Sequence, residues 1–439
     1  MRFAITFFYI FHVIICSSNA QTKLSLESAK EILENNSTNI KQSKLQEKIS
    51  RIELAQAHDN LKPNLGFSMN NQNTMGLNFD QVTGQLITGN QWTHAANANV
   101  TSSITIFQGF RGLNTIQLSK LNVDISKLDT ERLIYELRLQ LINLYFQTLI
   151  NYDLYQASTS QAKLSSQMVA AEEAKMETGR STILDLAQAK TKLANDELNI
   201  TNAKNAYDLC VLRLKQLLEL DSEIELIRPV TTIFQKIDFL SGEYEITVND
   251  PYVKIINKQI DQSIVNGRLA RSTYYPTVNL STGYGTNYSS KRTLSAYSNA
   301  VMPMWNQMNN NRSLYINLSL SYAIFDKNST RSNVAKARIS TENLKMEHAK
   351  VVRDRIQNFK QLQLEYSAAL EEFKAVESTY SSSKINYETM NERYMVGKNS
   401  SIDLFNAMTN LNIQEFNKIT SKYNILLKEE LIKLQLDRF

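Results

Sequence analysis

Two carboxylates recur in matched settings: Asp185 follows Gly179 by six residues, and Asp403 follows Gly397 by six. Each closes a Ser/Thr-x-x-Asp quartet, Thr182 to Asp185 and Ser400 to Asp403. At that spacing a hydroxyl and a carboxylate satisfy the free amides that open a helix, so the first expectation is capping. The second is functional, because carboxylates repeated around an axis by symmetry select cations and form closing contacts. No other chemistry finds a constellation. His58, His94 and His348 lack metal-ligand spacing, and there is no nucleophile–base arrangement and no phosphate-cradling glycine loop. The expectation is a non-enzyme without cofactor or metal.

Composition narrows the classes further. The 439 residues carry 48 Lys plus Arg against 43 Asp plus Glu, a net charge of +5, too even for a dedicated nucleic-acid binder. Only 12 Gly and 5 Pro rule out a disordered or collagen-like chain. Met1-Arg2, the apolar run Phe3 to Cys16 and the small residues Ser18-Asn19-Ala20 read as a secretory signal peptide over 1–20. The alternative, a lipidated Cys16, wants small residues where Ile14 and Ile15 stand. The mature chain then keeps one thiol, Cys210, among Leu209, Val211 and Leu212, and no apolar run long enough for a transmembrane helix.

Elements able to position the carboxylates follow from the prolines at 63, 229, 251, 276 and 303. Residues 113–178 and 330–396 contain neither Pro nor Gly, so each is expected as one helix of about 100 Å. Helices are also expected over 181–220 and 401–437. In the first long helix, Leu121, Leu128, Tyr135 and Leu139 form one ladder beside a second through Ile134, Leu137, Leu141 and Leu144. Two seams on one helix call for neighbours on both sides. Between the helices, 65–73, 98–107, 278–286 and 314–325 alternate apolar and polar residues over the length a tilted strand needs to cross a bilayer.

The chain also repeats itself. Pro63 returns as Pro276, Phe107 as Phe325, and Gly179 through Asp185 as Gly397 through Asp403, the last two at an offset of 218. Residues 21–220 and 251–439 thus form two structural repeats, with 221–250 connecting them. In each repeat two shorter helices laid end to end match one long helix.

This duplicated plan resembles the TolC family of outer-membrane efflux proteins over essentially the whole mature chain. The residues that carry the likeness are Pro63 and Pro276, Phe107-Gln108-Gly109 and Phe325-Asp326, and the two hairpin tips. The resemblance implies an α+β membrane protein in the outer membrane of a Gram-negative bacterium, extending into the periplasm. Four strands per protomer would make a twelve-strand transmembrane β-barrel in a homotrimer, continuous with an α-helical coiled-coil barrel. Physics also favours three copies: four strands leave edges that lipid cannot satisfy, and two copies would give eight strands whose interior is filled by side chains. Implied partners are a periplasmic adaptor, an inner-membrane transporter and outer-membrane lipid. By resemblance, Asp403 and Asn406 line a periplasmic constriction, Asn406 standing where the family has a second acidic residue. Tyr394 and Asp185 match the gate's linking network, and Asn399 takes a position that is basic in the family. Gly179 and Gly397 mark the turns where adaptors dock. The implied function is a passive exit duct of a tripartite efflux pump, with type I protein secretion as an alternative. A rival of another class is a non-pore periplasmic coiled-coil scaffold, in which the alternating segments would be soluble strands.

Overall fold

A computed structural model describes residues 22–229, 248–295 and 300–436. The signal-peptide expectation and most of 221–250 lie outside the described residues. The chain divides into two compact units, neither continuous in sequence. One comprises Met1–Gln42, Thr130–Asp250 and Val352–Phe439; the other comprises Ser43–Asp129 and Pro251–Val351. The compact units therefore do not follow the two sequence repeats, because each long helix passes through both units.

The elements in chain order are β1 (Thr22–Leu24), α1 (Leu26–Asn36), α2 (Thr38–Asp59), β2 (Asn64–Met75), β3 (Asn78–Asp80), β4 (Gln85–Ile87) and β5 (Trp92–Gln108). Then come α3 (Arg111–Glu177), α4 (Ile183–Leu218), β6 (Ile224–Leu226), α5 (Pro251–Ser272) and β7 (Thr277–Ser289). The last are α6 (Met304–Asn310), β8 (Ser313–Ser321), α7 (Ser329–Met395) and α8 (Ser401–Leu436). The duplication holds to the residue in the helices. α3 and α7 each have 67 residues, α4 and α8 each have 36, and α2 and α5 each have 22.

In the first unit, α1 packs Leu33 onto Leu137, Leu141, Leu214 and Leu218, and the parallel pair β1–β6 closes the cluster with Leu24 and Ile224. The connecting region thus supplies a strand that no periodicity announced. Tyr145 fastens it, its hydroxyl donating to the carbonyls of Ile227 at 2.6 Å and Leu24 at 3.1 Å. Burial pushes that phenol up to about 12. Tyr145→Phe would strip a buried donor from these carbonyls and should cost about 1–3 kcal/mol, read as a lower denaturant midpoint. Between α3 and α4 the buried Asp196 accepts from Ser165 and Lys192, each at 2.5 Å, so the inward carboxylate is fully partnered.

The second unit holds a four-stranded antiparallel sheet in the order β2–β5–β7–β8, so β2 and β8 are its edges. Residues opposite one another share a face. The register therefore puts Phe67, Val100, Tyr284 and Leu314 in one row, and Leu65, Ser102, Thr282 and Ile316 in the next. The other face carries Ser68, Asn99, Gly285 and Ser313 in one row, and Asn64, Ser103, Ser281 and Asn317 in another. None of the four strands contains Asp, Glu, Lys or Arg. The apolar face is bare: Leu65 is 78% exposed, Ile316 72% and Leu320 69%. A soluble sandwich would cover such a face; here nothing in the unit does. No helix among the described residues is long and apolar enough to cross a membrane.

Several boundaries differ from the sequence expectation. Pairing of β2 with β5 runs on to Met75 opposite Trp92, past the point where alternation fades into Asn, Gln and Thr. Conversely, β8 stops at Ser321, not at 325. Its partner β7 begins at Thr277, directly opposite Ser321, and Pro276 before it offers no N–H. The loop between β2 and β5 contains the β3–β4 hairpin, and that between β7 and β8 contains α6.

Where strand passes into helix, Gly109 and Phe110 both take left-handed backbone, φ +57° and +61°. Their counterparts 218 residues on, Lys327 and Asn328, do the same at +58° and +60°. Phe107, Phe110 and Tyr275 meet edge-to-face around the first junction, with centroids 5.6 to 6.5 Å apart.

Candidate functional site

The two helical hairpins end in matching turns. After α3, Gly179 sits at φ +69°, its N–H donating to Met176 and that of Arg180 to Lys175. After α7, Gly397 sits at φ +73°, and the same bonds run to Tyr394 and Arg393. Left-handed glycine at this place closes the helix by satisfying its last carbonyls. The following helices open on capping boxes. Thr182 Oγ1 accepts from the Asp185 N–H at 3.2 Å, and the Thr182 N–H returns a bond to Asp185 Oδ2 at 3.3 Å. Ser400 and Asp403 repeat both bonds at 3.2 and 3.3 Å.

The two carboxylates then part company. Asp185 uses its second oxygen to accept from Ser401 Oγ at 2.5 Å, which ties the start of α4 to the start of α8. Asp403 has no counterpart to this bond and is exposed, as is Asn406 one turn on. The Ser401 bond first, then the Thr182 hydroxyl, hold the Asp185 carboxyl below the usual carboxylate range. A depressed folded value means the link contributes fully above the unfolded value of 3.8 and is lost as pH falls through the lower folded one. Amide exchange at the start of α8 should therefore be flat with pH down to about 4 after correction for intrinsic rate, then rise. Ser401→Ala should raise it at neutral pH and remove the step.

Tyr394 is buried at 8% exposure, yet its hydroxyl has no hydrogen-bond partner, and it does not meet Asp185. Its ring is instead capped by Lys175, whose Nζ lies 3.5 Å from the centroid. Lys175 pairs at 3.4 Å with Glu172, a carboxylate with 3% side-chain exposure that also accepts from Ser181 Oγ at 2.5 Å. Asn399 turns its amide onto the sulfur of Met390. Asn399 and Met390 lie 218 residues after Ser181 and Glu172, so this is the same tip contact with the charge removed. At the tips, two bridges join the hairpins of one chain: Lys175 over Tyr394, and Ser401 to Asp185. Sequence reasoning missed Glu172, Lys175, Ser181 and Ser401. The signal available was a glutamate on the inward ladder of α3, close to the turn. Around the bridges, Ile183, Leu184, Met395 and Val396 are exposed.

The chain thus combines duplicated helical hairpins with a four-stranded sheet that has one bare apolar face. The chain belongs to the outer membrane efflux protein family, whose model matches residues 30–219 and again 244–434. The TolC-family resemblance and the duplicated architecture are thereby borne out. No curated protein matches the chain by sequence. Among solved structures, the channel protein CusC is similar over 94% of this chain and 92% of its own, with TM-score 0.81 and 14% identity. The Campylobacter jejuni outer membrane channel CmeC covers 94% and 85%, at TM-score 0.79 and 15% identity. VceC, an outer membrane protein of Vibrio cholerae, covers 94% and 95%, at 0.76 and 12%. Identities this low speak to fold alone.

Proposed function

We propose that three copies of this chain close their sheets into a twelve-strand barrel in the outer membrane and serve as the passive exit duct of a tripartite efflux pump. The observation that carries it is the sheet with one bare apolar face, one uncharged polar face and two unpaired edges. An open edge is untenable in lipid. Eight strands would leave an interior filled by side chains, whereas more strands leave room for a bore. The helical hairpins then lie in the periplasm, with their tips as the gate. Asp403 recurs three times around the opening, and Asn406 keeps that ring at three carboxylates. The exposed apolar residues at the tips, Ile183, Leu184, Met395 and Val396, suit docking by a periplasmic adaptor that couples the duct to an inner-membrane transporter. Type I protein secretion would use the same duct; sensitivity and secretome profiles of a deletion strain separate the two.

Heated against unheated gel mobility of detergent-extracted protein tests the trimer, and conductance in a planar bilayer tests the duct. A monomer without conductance would overturn the proposal. The gate has its own test. Lys175→Met removes the charge but keeps the stem, and with Ser401→Ala it cuts both bridges. The double variant should conduct several-fold more than the parent; unchanged conductance would overturn the bridges as the closing contacts.

A further inference from the structure

The β3–β4 hairpin has two unlike faces. Phe79 lies opposite Leu86, so both project to one side; Asp80 and Ile87 project to the other. On the second side Asp80 is 5% exposed and reaches the main sheet, where it accepts from Ser289 Oγ. Its other oxygen accepts from the amides of Val82 at 2.8 Å and Thr83 at 3.2 Å. Ser289 is in turn clamped by Gln307 of α6, which accepts from its N–H at 3.0 Å and donates to its carbonyl at 2.9 Å. Register places Ser289, opposite Ala95, and Thr93, opposite Thr74, on the polar face of the sheet. Both are buried, whereas Asn64, Ser68 and Asn70 on the same face are exposed. The hairpin is therefore folded over the polar face at the strand ends remote from the helices. Its outward side is left bare, with Phe79 57% exposed, Leu86 62% and neighbouring Leu77 72%.

We infer that this hairpin is an apolar constriction at the outer mouth of the duct, met across the threefold axis by the same hairpin of the other two copies. The inference rests on the barrel reading above. When the sheet closes with its apolar face to lipid, the polar face becomes the lumen, and anything folded over that face stands in the bore. Three sets of Leu77, Phe79 and Leu86 then face one another, apolar side to apolar side. A narrow apolar ring excludes water and bulky polar solutes without any moving charge. Asp80 is the positioning residue, since its bonds to Ser289 and the turn amides hold the hairpin inward. The four strands below carry no Asp, Glu, Lys or Arg, so passage through the apolar ring is limited by size and wetting.

The experiment is cysteine labelling from outside intact cells, on trimers verified by gel mobility. Cys210 is buried and gives little background. Asn97→Cys on the polar face should react with a small maleimide but resist a bulky polyethylene-glycol maleimide. Phe79→Ser with Leu86→Ser, or separately Asp80→Ala, should abolish that resistance. Equal labelling by the bulky reagent with the hairpin intact, or undiminished resistance in both hairpin variants, would overturn the constriction. Failure of the barrel reading looks different: Asn97→Cys would resist even the small reagent, or Val100→Cys on the apolar face would label in its place.

Discussion

Ile316→Lys should abolish assembly in the outer membrane, while Asn317→Lys, one residue along the same strand, should leave a trimer. Ile316 sits on the bare face in the row of Leu65 and Thr282; Asn317 sits on the polar face opposite Ser281. A lysine facing lipid near mid-bilayer costs about 2–4 kcal/mol, and a trimer would bear it three times. A lysine facing water in the bore costs little and only adds charge to an uncharged wall. Membrane fractionation and heat-modifiable mobility read both outcomes. In a soluble sandwich the first variant would harm folding and the second would be silent, but neither would change which fraction holds the protein. Equal recovery of both variants as membrane trimers would contradict the assignment of faces.

The second large effect is expected at Gly109. A Cβ built there would lie 2.4 Å from the Ser272 carbonyl oxygen and 2.8 Å from Cβ of Tyr275. The backbone dihedral is not the obstacle, because Lys327 holds φ +58° at the equivalent position of the second repeat. What Gly109 supplies is room for α5 to end against the strand-to-helix junction. Gly109→Ala must displace a carbonyl as well as bear left-handed strain, and should cost on the order of 3 kcal/mol. Lys327→Gly, relieved of strain alone, should be neutral or gain up to about 1 kcal/mol. A loss at Gly109→Ala several times larger than any gain at Lys327→Gly in thermal melts would establish that packing selects glycine at 109; equal and opposite shifts would assign it to dihedral preference.

How much of this was legible follows from the range of each interaction. The helices, the glycine turns and the capping boxes at Asp185 and Asp403 all rest on contacts within a few residues. The sequence therefore determines them by itself: 3.6-residue periodicity, the absence of Pro and Gly, and Ser/Thr-x-x-Asp are local rules. The sheet's two characters were also legible, because a period of two sorts side chains by face whatever the partner.

Only the tertiary structure decided which residues meet. Asp185 binds Ser401 across 216 positions of sequence, and Asp80 binds Ser289 across 209. Tyr394 lies beneath Lys175 and not beside Asp185, because the pitch of two packed helices sets which turn faces which. The β8 strand ends where β7 has no more N–H groups to offer. Periodicity tells a residue which side it faces; register and helix packing choose what stands there, and those depend on the whole chain closing at once.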